Sequence, residues 1–398
     1  MAEWTATSLG ALCAAGDGTI QTGPFGSQLH ADEYSISGVP VVMPQDIGDN
    51  VINTAQIARV PDEVATRMNR HYLEEGDIVF SRRGDVTRRA LVRDRNAGWL
   101  CGTGCLRVRP GKGVHSLFLS YRLGTTDAKD WLLGNAVGTN MLNLNTTILG
   151  RLPLDIPPLP EQQAIAEVLG ALDDKIAANT ALAATAREYA LTKLRIDAPT
   201  TPLGNVVLHR KHQVNPAELD EPLVEHYSLP AFDVGTGPEV TDPGNIQSNK
   251  FRVEASALLV SKLNPRTPRN WPVSGVGERP RLASTEFLVL EPFVCDPWVM
   301  WALVSQSSFT RELEGKVAGT SGSHQRVRPE EVLATPILDP RSLHPQLIAD
   351  VSEVLAPIDA FDAENRTLAA TRGALLPQLM SGKIRVGDAE RIVSEAGV

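Results

Sequence analysis

The chain has 398 residues, 42% hydrophobic and 21% charged, enough for two or three buried cores and too apolar for a disordered tail. No apolar run approaches the ~18 residues of a membrane span. The Met1-Ala-Glu-Trp4 start lacks the basic end and apolar core of a secretory signal, and four cysteines are too few for a disulfide framework. These features point to a reducing cytoplasm, and the net charge of −9 argues against indiscriminate nucleic-acid binding unless the positive charge is gathered locally.

In chain order, Gly23-Pro-Phe-Gly-Ser27 reads as a loop that either turns the chain or brings backbone N–H groups close to a phosphate. Gly38–Met43 and Asp77–Phe80 are short β-rich runs among Gly, Pro and Asn turns. Nine Lys and Arg against three acids fall between Gly76 and Lys112. Pro153-Leu-Asp-Ile-Pro-Pro-Leu-Pro160 predicts a stiff hinge into a helix beginning at Glu161. Ile165, Leu169, Leu172, Ile176, Ala183, Ala190 and Leu194 then recur at three- and four-residue steps, one apolar stripe on a helix about 51 Å long.

Val214–Asp242 carries seven acids and no Lys or Arg, whereas Lys250–Arg281 carries seven Lys and Arg against two acids. Glu286–Leu290 reads as a further strand. A second long helix follows Pro340 and Pro345, with its stripe at Val351, Leu355, Ile358, Ala369, Leu376 and Met380. Gly170 and Pro357 are expected to bend the two helices at the same level, and Asn179 and Asn365 occupy equivalent points on the stripes.

The chain repeats itself. Val168–Asp173 matches Val354–Asp359, and Asn179–Thr185 matches Asn365–Thr371, both at an offset of 186. Ile78–Arg82 matches Leu258–Lys262 at 180, and Gly138-Thr139 matches Gly319-Thr320 at 181. Two halves this long are a duplicated domain-plus-helix module rather than solenoid units. Each apolar stripe packs either on its own domain or on the other helix, and the self-complementarity of a repeat favours an antiparallel pair with the asparagines fixing register. A rod of that length could hold the modules over about one turn of duplex DNA, the basic stripes facing it and the acidic segment facing away.

At this point the residues resemble a known family. Pro158-Leu-Pro-Glu-Gln162 running into Ile165–Leu169 and Leu172–Ile176 resembles the conserved helical region of the specificity subunits of type I restriction-modification systems. Gly23–Ser27 is similar to a loop near the start of their target recognition domains. Ser248–Phe251, Ser261–Arg266 and Gly319–Arg326 resemble motifs of one class of those domains, and Leu375–Ile384 resembles the family's helix ending. The second half departs from the pattern, with Leu343-His-Pro-Gln-Leu where the first has Leu159-Pro-Glu-Gln-Gln.

The resemblance implies an α+β fold: two related target recognition domains separated by two long helices packed as an antiparallel coiled-coil pair. It places target recognition domain 1 at residues 1–152, the proline hinge and first helix at 153–200, target recognition domain 2 at 201–340, and the second helix and tail at 341–398. It implies a non-catalytic subunit of a phage-defence system that reads a bipartite sequence in double-stranded DNA. Its partners would be two copies of an adenine methyltransferase subunit, which would carry S-adenosylmethionine, and nuclease-translocase subunits. No cofactor is expected in this chain.

Chemistry of its own is not evident in the chain. Walker A, Gly-x-Gly-x-x-Gly and His-Glu-x-x-His patterns are absent, and Asp296-Pro-Trp298 is one proline short of an amino-methyltransferase tetrapeptide. Cys101-x3-Cys105 lacks a second pair for zinc and reads as buried small residues. Asp62, Asp127 and Lys129 loosely fit a magnesium nuclease, the alternative activity; a protein-only helical scaffold is the other alternative.

Arg suits guanine, Asn and Gln suit adenine, and either basic residue suits phosphate. The candidate DNA contacts of the first module are therefore Arg82, Arg83, Arg88 and Arg89, with Asn140, Asn143 and Asn145 on the loop after Gly138. Those of the second are Lys250, Lys262, Arg266 and Arg269, with Ser323, His324, Gln325 and Arg326 on the equivalent loop.

Overall fold

The computed structural model describes residues 4–26, 28–138, 141–235, 237–275, 277, 279–316, 325–395 and 397. It divides into two compact units, Met1–Asp174 with Leu368–Val398, and Lys175–Thr367. No described helix is long and apolar enough to cross a membrane.

In the first unit a five-stranded sheet runs in the order Thr19–Thr22, Cys105–Arg109, Ile78–Ser81, Arg89–Leu91, Asp49–Asn50. Its central strand Ile78–Ser81 is buried throughout, which is why that sequence is an unbroken apolar run rather than an alternation. Val42, Ile47, Val79, Ala90, Cys101 and Cys105 share one core, and burial pushes the Cys101 thiol up to about 12. A three-stranded sheet places Val39–Val42 between Ala58–Val60 and Leu100–Cys101.

The proline-rich segment is extended and stiff, as expected from its composition, and it is also a paired strand. Pro153–Ile156 is a strand paired antiparallel with Thr5–Ser8, in a two-stranded sheet where a missing N–H breaks no inner ladder. The helix then opens at Leu159, two residues early, with Pro160 in the first turn where its missing N–H costs nothing. The buried Gln162 fixes that start: its Nε2 donates to Pro157 O at 2.9 Å and its Oε1 accepts from His115 N at 2.9 Å.

The second unit repeats the plan. Its four-stranded sheet, Val207–Arg210, Phe287–Pro292, Ala257–Ser261, Asn270–Val273, follows the strand succession of the first unit's larger sheet. Thr200–Pro202 pairs with Pro336–Leu338 as Thr5–Ser8 pairs with Pro153–Ile156. A further five-stranded sheet holds Gln213–Val214, Lys250–Val253, Arg281–Ala283, Val224–Tyr227 and Glu239–Thr241.

That last sheet overturns the expected separation of charge. The acidic segment does not face away from the basic one but lies against it. Val224–Tyr227 runs parallel to Arg281–Ala283, and Glu225 reaches Arg281 at 3.5 Å, Glu221 reaches Arg252 at 4.0 Å and Asp233 reaches Arg269 at 2.6 Å. Charge sorted along the chain is paired in space.

The first long helix, Leu159–Lys193, passes through Gly170 unbroken. The second is two helices, Pro345–Leu355 and Ile358–Met380, parted at Pro357, whose ring and missing N–H interrupt the ladder. The expected matched bend therefore exists in one helix only. The first stripe is buried as expected except at Ile176, which is half-buried. In the second, Val351, Leu355, Ile358 and Met380 are buried, but Ala369 is exposed and Leu376 half-buried. Leu368, Leu375 and Leu379 replace them, because three- and four-residue steps counted on from Ile358 lead through Asn365, Leu368, Arg372, Leu375 and Leu379.

The boundary between the units cuts both helices. Within the second unit, Asn179 Nδ2 donates to Asn365 Oδ1 at 3.1 Å and to Glu364 Oε2 at 2.6 Å, and Arg187 meets Asp362 at 3.6 Å, contacts of antiparallel neighbours. Ala183, Ala190 and Leu194 also pack with Leu258, Leu290, Trp298 and Leu303, so one stripe serves both the helix pair and the module core. Within the first unit, Asp173 accepts from Tyr121 Oη and Arg372 Nη1, each at 2.6 Å. Asp359, its repeat equivalent, accepts from Trp298 Nε1 at 3.0 Å in the second unit. Each carboxylate ties a long helix to a short helix of its module.

Candidate nucleic-acid interface

The two units build the same corner where their central strand ends. In the first, Ile78–Ser81 delivers Arg82, whose backbone N donates to Gly104 O and whose O accepts from Leu144 N at 2.9 Å; Gly84 N donates to Leu142 O. In the second, Ala257–Ser261 delivers Lys262, whose N donates to Glu286 O and whose O accepts from Val327 N at 3.0 Å; Asn264 N donates to Gln325 O. The serine ending each strand repeats as well, with Ser81 Oγ donating to Arg83 O and Ser261 Oγ to Leu263 O. The loop that returns to the strand end thus makes the same two backbone hydrogen bonds in both units.

The side chains at these corners differ. Arg82 Nε donates to Asn143 Oδ1 at 3.3 Å and to Leu144 O at 3.2 Å, and its guanidinium lies 5.8 Å from the centre of the Phe25 ring. Phe25 is 52% exposed, in the loop whose Gly23 abuts the backbone of Gly102 and admits no side chain. Arg83 is exposed, as is Arg88 beside Asp85. In the second unit Lys262 is half-buried and Arg266 exposed. Among the described residues, no carboxylate lies in ion-pair range of Arg82, Arg83, Lys262 or Arg266.

Several expected contacts are engaged within the fold. Arg89 is 3% exposed, with Nε on Ser120 O and Nη1 on Asp49, because its strand turns it inward. Lys250 is buried with Nζ on Ser248 O and Oγ, and burial lowers its pKa. Arg269 grips Asp233 with Nε and Nη2, and Arg326 grips Glu286 in the same way, which holds both carboxyls below the usual range. Asn145 caps the helix Thr146–Gly150 through Ile148 N. Asn143 supports Arg82, and Gln325 is half-buried with its backbone in the corner. Asn140, Ser323 and His324 lie outside the described residues. Arg107 and Arg109 also turn inward, onto the backbone of Tyr72 and onto Asp77.

That Phe25 lies beside Arg82 was not legible beforehand, since the two are far apart in the chain. For the nuclease alternative, Asp127 is held by Arg122 at 2.9 Å and Asp62 opens the helix Asp62–Arg67. Among the described residues no group of three or more His, Cys, Asp or Glu is placed to hold a metal.

Residues 24–186 match the family model for the type I restriction modification DNA specificity domain, which covers the corner of the first unit and most of the first long helix. The likeness is thus to DNA specificity domains, over that stretch of the chain. A type I restriction enzyme MjaX specificity subunit of Methanocaldococcus jannaschii is 28% identical over 146 residues, 35% of this chain; the chain spans about a third of that relative's length, 34%. The crystal structure of a type I restriction-modification S subunit from M. genitalium aligns over 95% of this chain and 96% of its own, at 15% identity and a TM-score of 0.59, and shares the fold. Over residues 24–186, then, this chain is similar to the DNA specificity domain of type I restriction-modification systems.

Proposed function

We propose that the chain reads a bipartite sequence in double-stranded DNA, one half-site per module, and directs partner adenine methyltransferase subunits to it. The repeated corner carries this reading. In the same order in the two units, a strand end, a basic residue and a returning loop recur with the same backbone hydrogen bonds, while the side chains differ. A duplicated reader of two different half-sites needs a constant frame and variable contacts.

On this reading residues 1–152 and 201–340 are target recognition domains, and 153–200 and 341–398 carry the helices. Arg82, Arg83 and Arg88 in the first module, and Lys262 and Arg266 in the second, are the contact residues, with Asn140, Ser323, His324 and Gln325 on the returning loops. Two methyltransferase subunits bearing S-adenosylmethionine, and nuclease-translocase subunits, complete a cytoplasmic assembly to which this chain contributes recognition and no catalysis.

The test is single-molecule sequencing of a host expressing the partner methyltransferase with and without this chain. New adenine methylation at one split motif, dependent on this chain, is the expected result. No new methylation from soluble, associated proteins overturns the reading.

A further inference from the structure

The DNA-reading function proposed above leaves open which residue specifies which base, and the Arg82 corner narrows that choice. We propose that Arg82 reads a guanine at one fixed position of the first half-site, and that Phe25 and Asn143 are positioning residues for it.

Three constraints fix the guanidinium before any ligand arrives. Its backbone is pinned on both sides, N to Gly104 O and O to Leu144 N. Its Nε is committed to Asn143 Oδ1 and Leu144 O. Its guanidinium carbon lies over the Phe25 ring, 5.8 Å from the ring centre, and the Phe25 loop is braced by Phe25 N donating to Gln28 Oε1 at 3.1 Å. Every described hydrogen bond from the Arg82 side chain uses Nε. The end-on fork, Nη1 and Nη2, has no carboxylate in range among the described residues.

A guanidinium fork can also take two phosphate oxygens, but a phosphate contact needs only a charge within reach and tolerates a mobile side chain. A planar fork held in one orientation suits two acceptors lying in one plane, as O6 and N7 of guanine do in the major groove. Holding the side chain beforehand also removes much of the rotamer entropy otherwise lost on binding. Lys262 occupies the same backbone frame in the second unit, but an ammonium on a flexible stem is a point charge with no planar fork. The guanine requirement set by this corner therefore belongs to the first half-site.

The experiment is selection from randomised duplex DNA by the full chain in its methyltransferase complex, comparing wild type with Arg82→Lys, Arg82→Ala and Phe25→Ala. Wild type is expected to favour guanine at one position by about 10-fold or more. Arg82→Lys keeps the charge, so preference at that position falls to about twofold or less while the dependence of binding on salt stays the same. Phe25→Ala removes an exposed side chain and is expected to fold; guanine stays preferred there but several-fold less strongly, with the other positions unchanged.

Retention of the guanine preference by Arg82→Lys overturns the inference. So does a uniform loss of affinity across all sequences in Arg82→Ala with a salt slope shallower by about one, the behaviour of a phosphate contact. If wild type selects no sequence at all, the DNA-reading function itself has failed, an outcome separate from a wild type that selects a motif its Arg82→Lys variant shares.

Discussion

Gly124 has no room for a side chain, because the guanidinium of Arg89 fills the place a Cβ would take. Gly134, in the helix Thr126–Asn135, has nothing near that place. Gly124→Ala is expected to lower stability by about 1–3 kcal/mol by pushing Arg89 off Asp49 and Ser120, whereas Gly134→Ala gains up to about 1 kcal/mol. Urea unfolding of the two variants checks both signs. His71 gives a prediction about pH. It is 3% exposed and accepts from Arg70 Nε; burial first, then Arg70 and Arg107, lowers its pKa from 6.5 to about 4. Between those values the unfolded chain binds the proton and the folded chain does not, so stability falls as pH drops from 6.5 towards 4. His71→Gln is expected to flatten that slope, by on the order of 2 kcal/mol across the window; equal slopes in urea melts of the two proteins would refute this. Arg82 and Arg89 look alike in the sequence, both arginines of one basic run. Which of them turns inward depends on partners such as Ser120, Asp49 and Asn143, distant in the chain, so composition showed that cations gather here but not which ones stay exposed.

The long helices were the most legible elements, because a three- and four-residue repeat of apolar residues is a property of the local sequence. Their meeting at Asn179 and Asn365 followed from the repeat itself. The slip from Ala369 and Leu376 to Leu368, Leu375 and Leu379 was not foreseen, since alanine and leucine compete for a seam and the steps onward from Ile358 decide the phase. The pairing of Pro153–Ile156 with Thr5–Ser8 was hidden for a different reason: its partner strand lies at the other end of the module, and prolines read as a boundary. The asparagine pair invites a double-mutant cycle. Asn179→Leu alone leaves Asn365 and Glu364 short of a donor and is expected to cost about 1 kcal/mol. With Asn365→Leu added, the chain is expected to exceed wild type in thermal stability, since a polar seam residue trades stability for register. Strict additivity of the two changes would show that the asparagines do not act together.

For the molecule as a whole, the proposed reader implies that helix length sets the unread gap between half-sites. Removing one heptad, residues 177–183 and 363–369, keeps the seam in phase and shortens each helix by about 10 Å. The methylated motif is then expected to lose about three base pairs from its spacer; an unchanged spacer would disprove the dependence. The duplication, the α+β class and the order of the elements were all legible, because they rest on order along the chain. The division into units was not, because it passes through the middle of both helices instead of between module and helix. That division has a consequence for biosynthesis. The first unit cannot be completed when its own strands leave the ribosome: Asp173 waits for Arg372, and residues from Leu368 onward finish its core. At about 5–20 residues per second, the intervening stretch takes roughly 10–40 s to make. During that time Asp173 lacks its Arg372 partner and the unit lacks its C-terminal part, so a chain stalled before Leu368 is expected to be cleaved by protease faster than the full chain.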